Sequence, residues 1–300
     1  MDRAGRNRVG NMPLRRAVLT VGALVFCLAG EPQAMGFYAC PDRIPAVPPR
    51  PPAAMYGQDC GRNENSHRNS DNIVTAPGVA GAAHHVHDYV GNLTTDAFST
   101  DESLQAGGTT CASGDLSTYY WPVLRVSHRI VPASQVRIAF YGNDLTGVVA
   151  MPRFLRISTG DSRAMTNGGK YARARWSCSG APDRVTTRYP LCPEGQLVVR
   201  TFTFPSCWDG LRKDSPNHRD HVVFPAASGA CPLKTFPIPR LEITVSYRLP
   251  PGTRYRIDGF PEQGGSPTTD HSDFVAIIPD PLMREILRAV GTQPAPARSG

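Results

Sequence analysis

From Leu241 to Leu249 the chain alternates without a break, with Leu241, Ile243, Val245, Tyr247 and Leu249 on one parity and Glu242, Thr244, Ser246 and Arg248 on the other. Residues two apart in an extended chain face the same way, so this segment reads as a strand with one buried and one wet face. Shorter runs of the same kind occur at Tyr119 to Val126, Gln135 to Tyr141, Arg153 to Ser158, Gln196 to Phe204, Val222 to Phe224 and Phe274 to Ile278. Gly, Pro, Asn and Asp clusters separate them. Many strands joined by long loops point to a mainly β chain, built as an antiparallel β-sandwich of jelly-roll-like form. One short helix is expected near the end. Asp280 caps it, Pro281 sits in its first turn, and Leu282, Met283, Ile286, Leu287 and Val290 form its apolar face before Gly291.

Arg3, Arg6, Arg8, Arg15 and Arg16 precede an uncharged apolar run from Ala17 to Ala29, the pattern of a signal peptide over residues 1–34. The run is shorter than the roughly 18 apolar residues that suggest a membrane span. A secreted or extracytoplasmic chain follows, without an integral membrane span. Arg15 and Arg16 also allow twin-arginine export. Residues 35–55, rich in proline from Pro41 to Pro52, read as a stiff tether. Residues 56–290 form a single β-rich domain, and 291–300 a disordered tail. Removing five arginines and two acids with residues 1–34 leaves 27 basic against 23 acidic side chains, a net +4. With no basic stripe and no phosphate-cradling glycine loop, nucleic acid and nucleotide are excluded as partners.

Seven cysteines remain after Cys27 leaves with the signal: Cys40, Cys60, Cys111, Cys178, Cys192, Cys207 and Cys231. In an oxidising compartment they are expected to form disulfides. The preferred pairs are Cys178 with Cys192 and Cys207 with Cys231, each closing a short loop, and the odd number leaves one thiol over.

The histidines are the informative polar residues, because His84, His85 and His87 cluster, His218 and His221 cluster, and His271 stands beside Asp270 and Asp273. On an extended segment His85 and His87 share a face, as do His271 and Asp273. An H-x-H pair with a third ligand from elsewhere has the donor set of a catalytic zinc-type site, so a divalent metal is the cofactor this pattern admits. The same groups would equally serve as general acid and base, or only hydrogen-bond their own loops. Trp208 and Asp209 lie between a candidate disulfide and an Asp-Gly turn. Trp208 either stacks on a sugar face or fills core. Asp209 either acts as acid, base or ligand or closes the turn through its own backbone.

The chain resembles a family of secreted fungal and bacterial proteins catalogued as domain of unknown function nineteen ninety-six. The resemblance is carried in order by His85-Val86-His87-Asp88-Tyr89-Val90-Gly91-Asn92, Gly107-Gly108-Thr109-Thr110-Cys111, Tyr120-Trp121-Pro122-Val123, Trp176-Ser177-Cys178, Phe204-Pro205-Ser206-Cys207-Trp208-Asp209-Gly210, Asp214-Ser215-Pro216-Asn217-His218, His221-Val222 and His271-Ser272-Asp273-Phe274. It implies a secreted domain and favours His85, His87, Asp209, His218, His221, His271 and Asp273 over His84, His67 and His128 as site residues. It implies no reaction. Two functions then stand side by side. One is an enzyme, hydrolase or lyase, that cleaves a polysaccharide or other cell-envelope polymer. The other is a noncatalytic cell-wall-associated module that binds carbohydrate or metal.

Overall fold

A computed structural model describes residues 54–291. The expected signal peptide, Cys27, Cys40, the tail beyond Gly291 and all but the last two residues of the proline-rich tether lie outside the described residues. Two antiparallel sheets dominate. The first has six strands in the order Met55–Gln58, Gln135–Tyr141, Arg240–Tyr247, Val198–Thr203, Trp176–Cys178 and Ala181–Thr186. The second has five: Arg68–Asn69, His87–Gly91, Thr118–Pro122, His271–Val275 and Arg156–Gly160. Two small three-stranded sheets flank them. The chain is therefore mainly antiparallel β and sandwich-like, as its strand patterning predicts.

The alternating segment lies inside the six-stranded sheet. Leu241, Ile243 and Val245 are buried there, facing Phe140, Ile138 and Val136 across one edge and Phe202 and Arg200 across the other. Between the sheets these residues meet Val90, Tyr119, Trp121, Ile157 and Phe274 of the five-stranded sheet in one core. Each large apolar side chain so buried contributes about 1.5–3 kcal/mol. One charge pair crosses the same interior. The Arg200 guanidinium donates to both carboxylate oxygens of Asp270 and also to Pro122 O at 2.9 Å and Tyr247 Oη at 3.0 Å. This pair ties the entry of strand His271–Val275 to the opposite sheet.

The second face of the five-stranded sheet is buried too. Tyr89, Tyr120 and Val275 pack there against Ile73, Val74, Leu104 and Ile277. Asn72 pins the covering segment, its Oδ1 accepting from Val74 N, Thr75 N and Tyr120 Oη. Leu104 belongs to a six-residue helix, Asp101–Ala106, that the sequence reading did not anticipate. Thr100 caps it by accepting from Ser103 N.

Several expected boundaries move for identifiable reasons. The run Tyr119 to Val126 breaks after Pro122, and Leu124–Val126 pairs with Arg129–Val131 and Arg256–Ile257 instead. Phe154 has a positive φ of 66°, which turns the chain, so that strand begins only at Arg156. The strand expected at Phe274 to Ile278 is His271–Val275. The helix Asp280–Val290 forms, but its N-cap is Pro279 and Asp280 lies in the first turn without a side-chain capping bond. The first strand already includes Met55, a residue assigned to the tether. Disulfides join Cys178 to Cys192 and Cys207 to Cys231, the two expected pairs, and Cys60 to Cys111. Among the described residues no helix is long and apolar enough to cross a membrane.

Candidate metal centre

Strand register brings two of the histidines together. His87 pairs with Pro122 on the central strand, and Asp273 pairs with Tyr120 on its other side. Carried two residues further, that register sets His271 across Pro122 as well. His87 and His271 therefore flank one strand on one face, the face of Tyr89, Tyr120 and Asp273. On the far side His271 pairs with Gly160, whose φ is +79° and whose added Cβ would lie 2.1 Å from Asp270 O. Only glycine fits that approach. His85 enters from the loop two residues before His87. Its position is fixed by Val86 N, which donates to Asp258 Oδ2 at 3.1 Å, and by the Phe260 ring, 5.4 Å from the His85 ring.

The rings converge. Centroids are 4.5 Å apart for His85 and His87, 5.1 Å for His85 and His271, and 5.7 Å for His87 and His271. His87 Nδ1 donates to Asp71 O at 3.0 Å and His271 Nδ1 to Thr269 O at 2.9 Å. A carbonyl only accepts, so each Nδ1 carries the proton and each Nε2 keeps its lone pair. His85 Nε2 lies 3.2 Å from His271 Nε2, and one nitrogen from each ring falls within 4.8 Å of the others. His87 Nε2 is buried and has no hydrogen-bond partner.

The environment holds all three rings neutral. Burial lowers His85 to about 3, with His271 adding to the effect. His271 is lowered to about 4 by burial, against the Thr269 carbonyl and with help from Arg200 and Arg219. His87, fully buried, is pushed well below the usual histidine range by burial and then by His85 and His271. Neutral imidazoles with converging lone pairs are the state in which histidine binds a metal. Backbone carbonyls on the remote nitrogens are the orienting contacts such ligands use. Four-coordinate zinc at about 2.0–2.1 Å per nitrogen sets ligand nitrogens roughly 3.3 Å apart, close to the His85 to His271 separation.

A family model described as domain of unknown function DUF1996 matches residues 71–276, more than half of the chain. The chain belongs to the DUF1996 family. No curated protein and no solved structure matches it. The DUF1996 match begins at Asp71, whose carbonyl orients His87, and spans all three converging histidines.

The remaining candidate residues of the DUF1996 domain are placed differently. Asp273 lies on the histidine face but bonds sideways, its Oδ2 accepting from Asn72 Nδ2 at 3.0 Å and its Oδ1 from Ser158 Oγ. Burial raises its carboxyl, against Ser158, Arg219 and Asn72. His221 has both nitrogens engaged, Nδ1 with Ser215 Oγ at 2.9 Å and Nε2 with Arg156 O at 2.6 Å. His218 Nδ1 meets Asp214 at 2.9 Å. Asp209 accepts from Leu211 N, Arg212 N and Arg212 Nε. Trp208 is half-buried against the core and donates to Arg212 O at 2.7 Å. Asp71, Asn72, Ser158, Gly160, Thr269 and Phe260 shape the centre, yet none stood out in the sequence. Two act through backbone carbonyls, for which a sequence carries no signal.

Proposed function

We propose that this DUF1996 chain is an exported metalloprotein in which His85, His87 and His271 bind one divalent transition-metal ion and serve an activity on a carbohydrate polymer of the cell envelope or wall. The observation that carries the reading is the His87 Nε2 lone pair, buried without a donor beside two other imidazole nitrogens. A buried acceptor left unpaired costs about 1–3 kcal/mol. A cation would satisfy that lone pair together with the Nε2 atoms of His271 and His85, which lie 3.2 Å apart. Imidazole donors without thiolate suit zinc, copper, iron or nickel better than magnesium or calcium. Three protein ligands also leave a position for water, as in catalytic zinc sites. That water would supply the hydroxide or base for hydrolysis or elimination.

This route has more support than hydrolysis by the Asp209 and Asp273 pair, because both carboxylates are occupied by local donors. The depth of the rings favours a second reading, a noncatalytic wall-associated module in which the ion secures the loop carrying His85. Elemental analysis of protein purified without added metal should find one ion per chain, lost in His85→Ala. Failure of the folded protein to retain zinc, copper, iron or nickel even after loading would refute the centre. Release of oligosaccharides from a panel of envelope and plant polysaccharides, abolished by His87→Ala, separates the enzyme from the module. Metal without any product assigns the module.

A further inference from the structure

Beside Ser158 of the five-stranded sheet's edge strand Arg156–Gly160 lies a cleft of about 300 Å3, outside the three histidines. Ser158 forms part of its wall, the same residue whose hydroxyl holds Asp273. Three cationic side chains, Lys170, Arg173 and Arg219, line it, against one acid, Asp220. How these cations are held is unusual. Arg219 donates to two neutral carbonyls, Ser158 O at 3.1 Å and Gly160 O at 2.8 Å, with its guanidinium 5.1 Å from the Tyr171 ring. Lys170 Nζ lies 5.1 Å from the same ring, and the Arg173 guanidinium 4.9 Å from the ring of Phe224. Among the described residues none of the three forms an ion pair with a carboxylate. Asp273 and Asp161 act on Arg219 only from beyond contact.

Cations positioned by π-faces and carbonyls keep their full charge. Collecting two guanidinium groups and an ammonium around one cavity is unfavourable unless something negative enters. The lining between them is apolar, from Pro205, Val222 and Phe224. The occupant therefore combines an anionic group with a C–H-rich body, and the volume is at the small end of ligand pockets. A planar carboxylate matches the arginine fork. A sugar ring bearing a carboxylate has both features.

We infer that this cleft is a subsite for a uronate residue, with Arg219 and Arg173 binding the carboxylate and Lys170 steering it. The inference rests on the reading that the chain handles a polysaccharide, but it does not require the metal. Binding of trigalacturonate, galacturonate monomer and neutral galactotriose to the full chain is measured by calorimetry, with and without chelator. Trigalacturonate should bind in both conditions and weaken at higher salt, and galactotriose should not bind. Arg173→Gln and Lys170→Gln, both at exposed positions, should each weaken binding about tenfold while leaving the melting temperature and metal content unchanged. Binding of the monomer as tightly as the trimer would assign a free uronate as the ligand, and weaker monomer binding a polymer-borne one. No trigalacturonate binding, equal binding of galactotriose, or variants that bind as the parent does would overturn the subsite. Uronate binding by folded protein that takes up no metal even after loading would fault the metal centre alone.

Discussion

Replacing His87 by leucine should be close to neutral in metal-free protein, an outcome opposite to what full burial of a polar side chain ordinarily implies. The substitution removes one hydrogen bond, Nδ1 to Asp71 O, worth about 1 kcal/mol. It leaves no orphan behind, because Asp71 O keeps Tyr89 Oη at 3.1 Å. It also removes the unpaired Nε2, whose burial costs about 1–3 kcal/mol. The two effects nearly cancel. With metal the balance reverses. An ion present at 100 times its Kd stabilises the parent by about 2.7 kcal/mol, which is roughly 5–11 °C in Tm for a domain of this size. His87→Leu should gain almost none of that. Calorimetric melts of chelated and metal-loaded protein measure all four values. A chelated variant destabilised by more than about 3 kcal/mol, or a variant whose Tm rises with metal as much as the parent's, would refute the reasoning.

Arg200→Met should destabilise the protein by about 3–5 kcal/mol, because Asp270 is then a buried carboxylate without its cation. In a chemical denaturation series Arg200→Met with Asp270→Leu should recover most of that loss. Gly160→Ala should be costly as well and should weaken metal binding, since its Cβ would strike Asp270 O and displace the backbone of His271. Metal titration of the folded variant reads the second effect. His221 is kept neutral by burial, which lowers it from 6.5. Below that value the unfolded chain takes up a proton that folded His221 refuses, so its contribution to stability is present at neutral pH and declines as pH falls. The destabilisation caused by His221→Gln should therefore shrink between pH 7.5 and pH 5, and a cost that grows toward acid would contradict this account.

What the sequence revealed depended on how each segment is buried. Arg240–Tyr247 alternates because Glu242 and Thr244 remain half-exposed, so its period-two pattern was legible. His271–Val275 is buried on both faces and carries its polar groups inside. Ser272 Oγ donates to Tyr120 O at 2.8 Å, and Asp273 is bonded to Asn72 and Ser158, so no alternation marks it as a strand. That His85 shares a face with His87 follows from parity alone. That His271 joins them follows from a pairing register 150 residues away in sequence, which no local pattern encodes. The same distinction separates the disulfides. The pairs 14 and 24 residues apart were readable as short loops, whereas Cys60 and Cys111 are 51 apart and meet only through the fold. At Asp209 the Asp-Gly turn, one of two open readings, accounts for the bonds from Leu211 N and Arg212 N, and an ion pair with Arg212 Nε completes its contacts.

The centre also explains why a loop and a sheet are combined in it. His87 and His271 stand on the strands that pair with the two sides of Thr118–Pro122, and the Arg200 to Asp270 tie fixes the second of them to the opposite sheet. His85 lies on the loop just before strand His87–Gly91. Its ring packs on Phe260, which the Arg163 guanidinium covers at 4.4 Å. Gln263, three residues on, accepts from Met165 N and donates to Thr166 Oγ1. The chain from 163 to 166 leads directly to Lys170 and Arg173 in the basic cleft. A second connection runs from His271 along its strand to Asp273 and through Ser158 to the cleft wall. The loop route joins the ring packed on His85 to the segment that leads to the cleft.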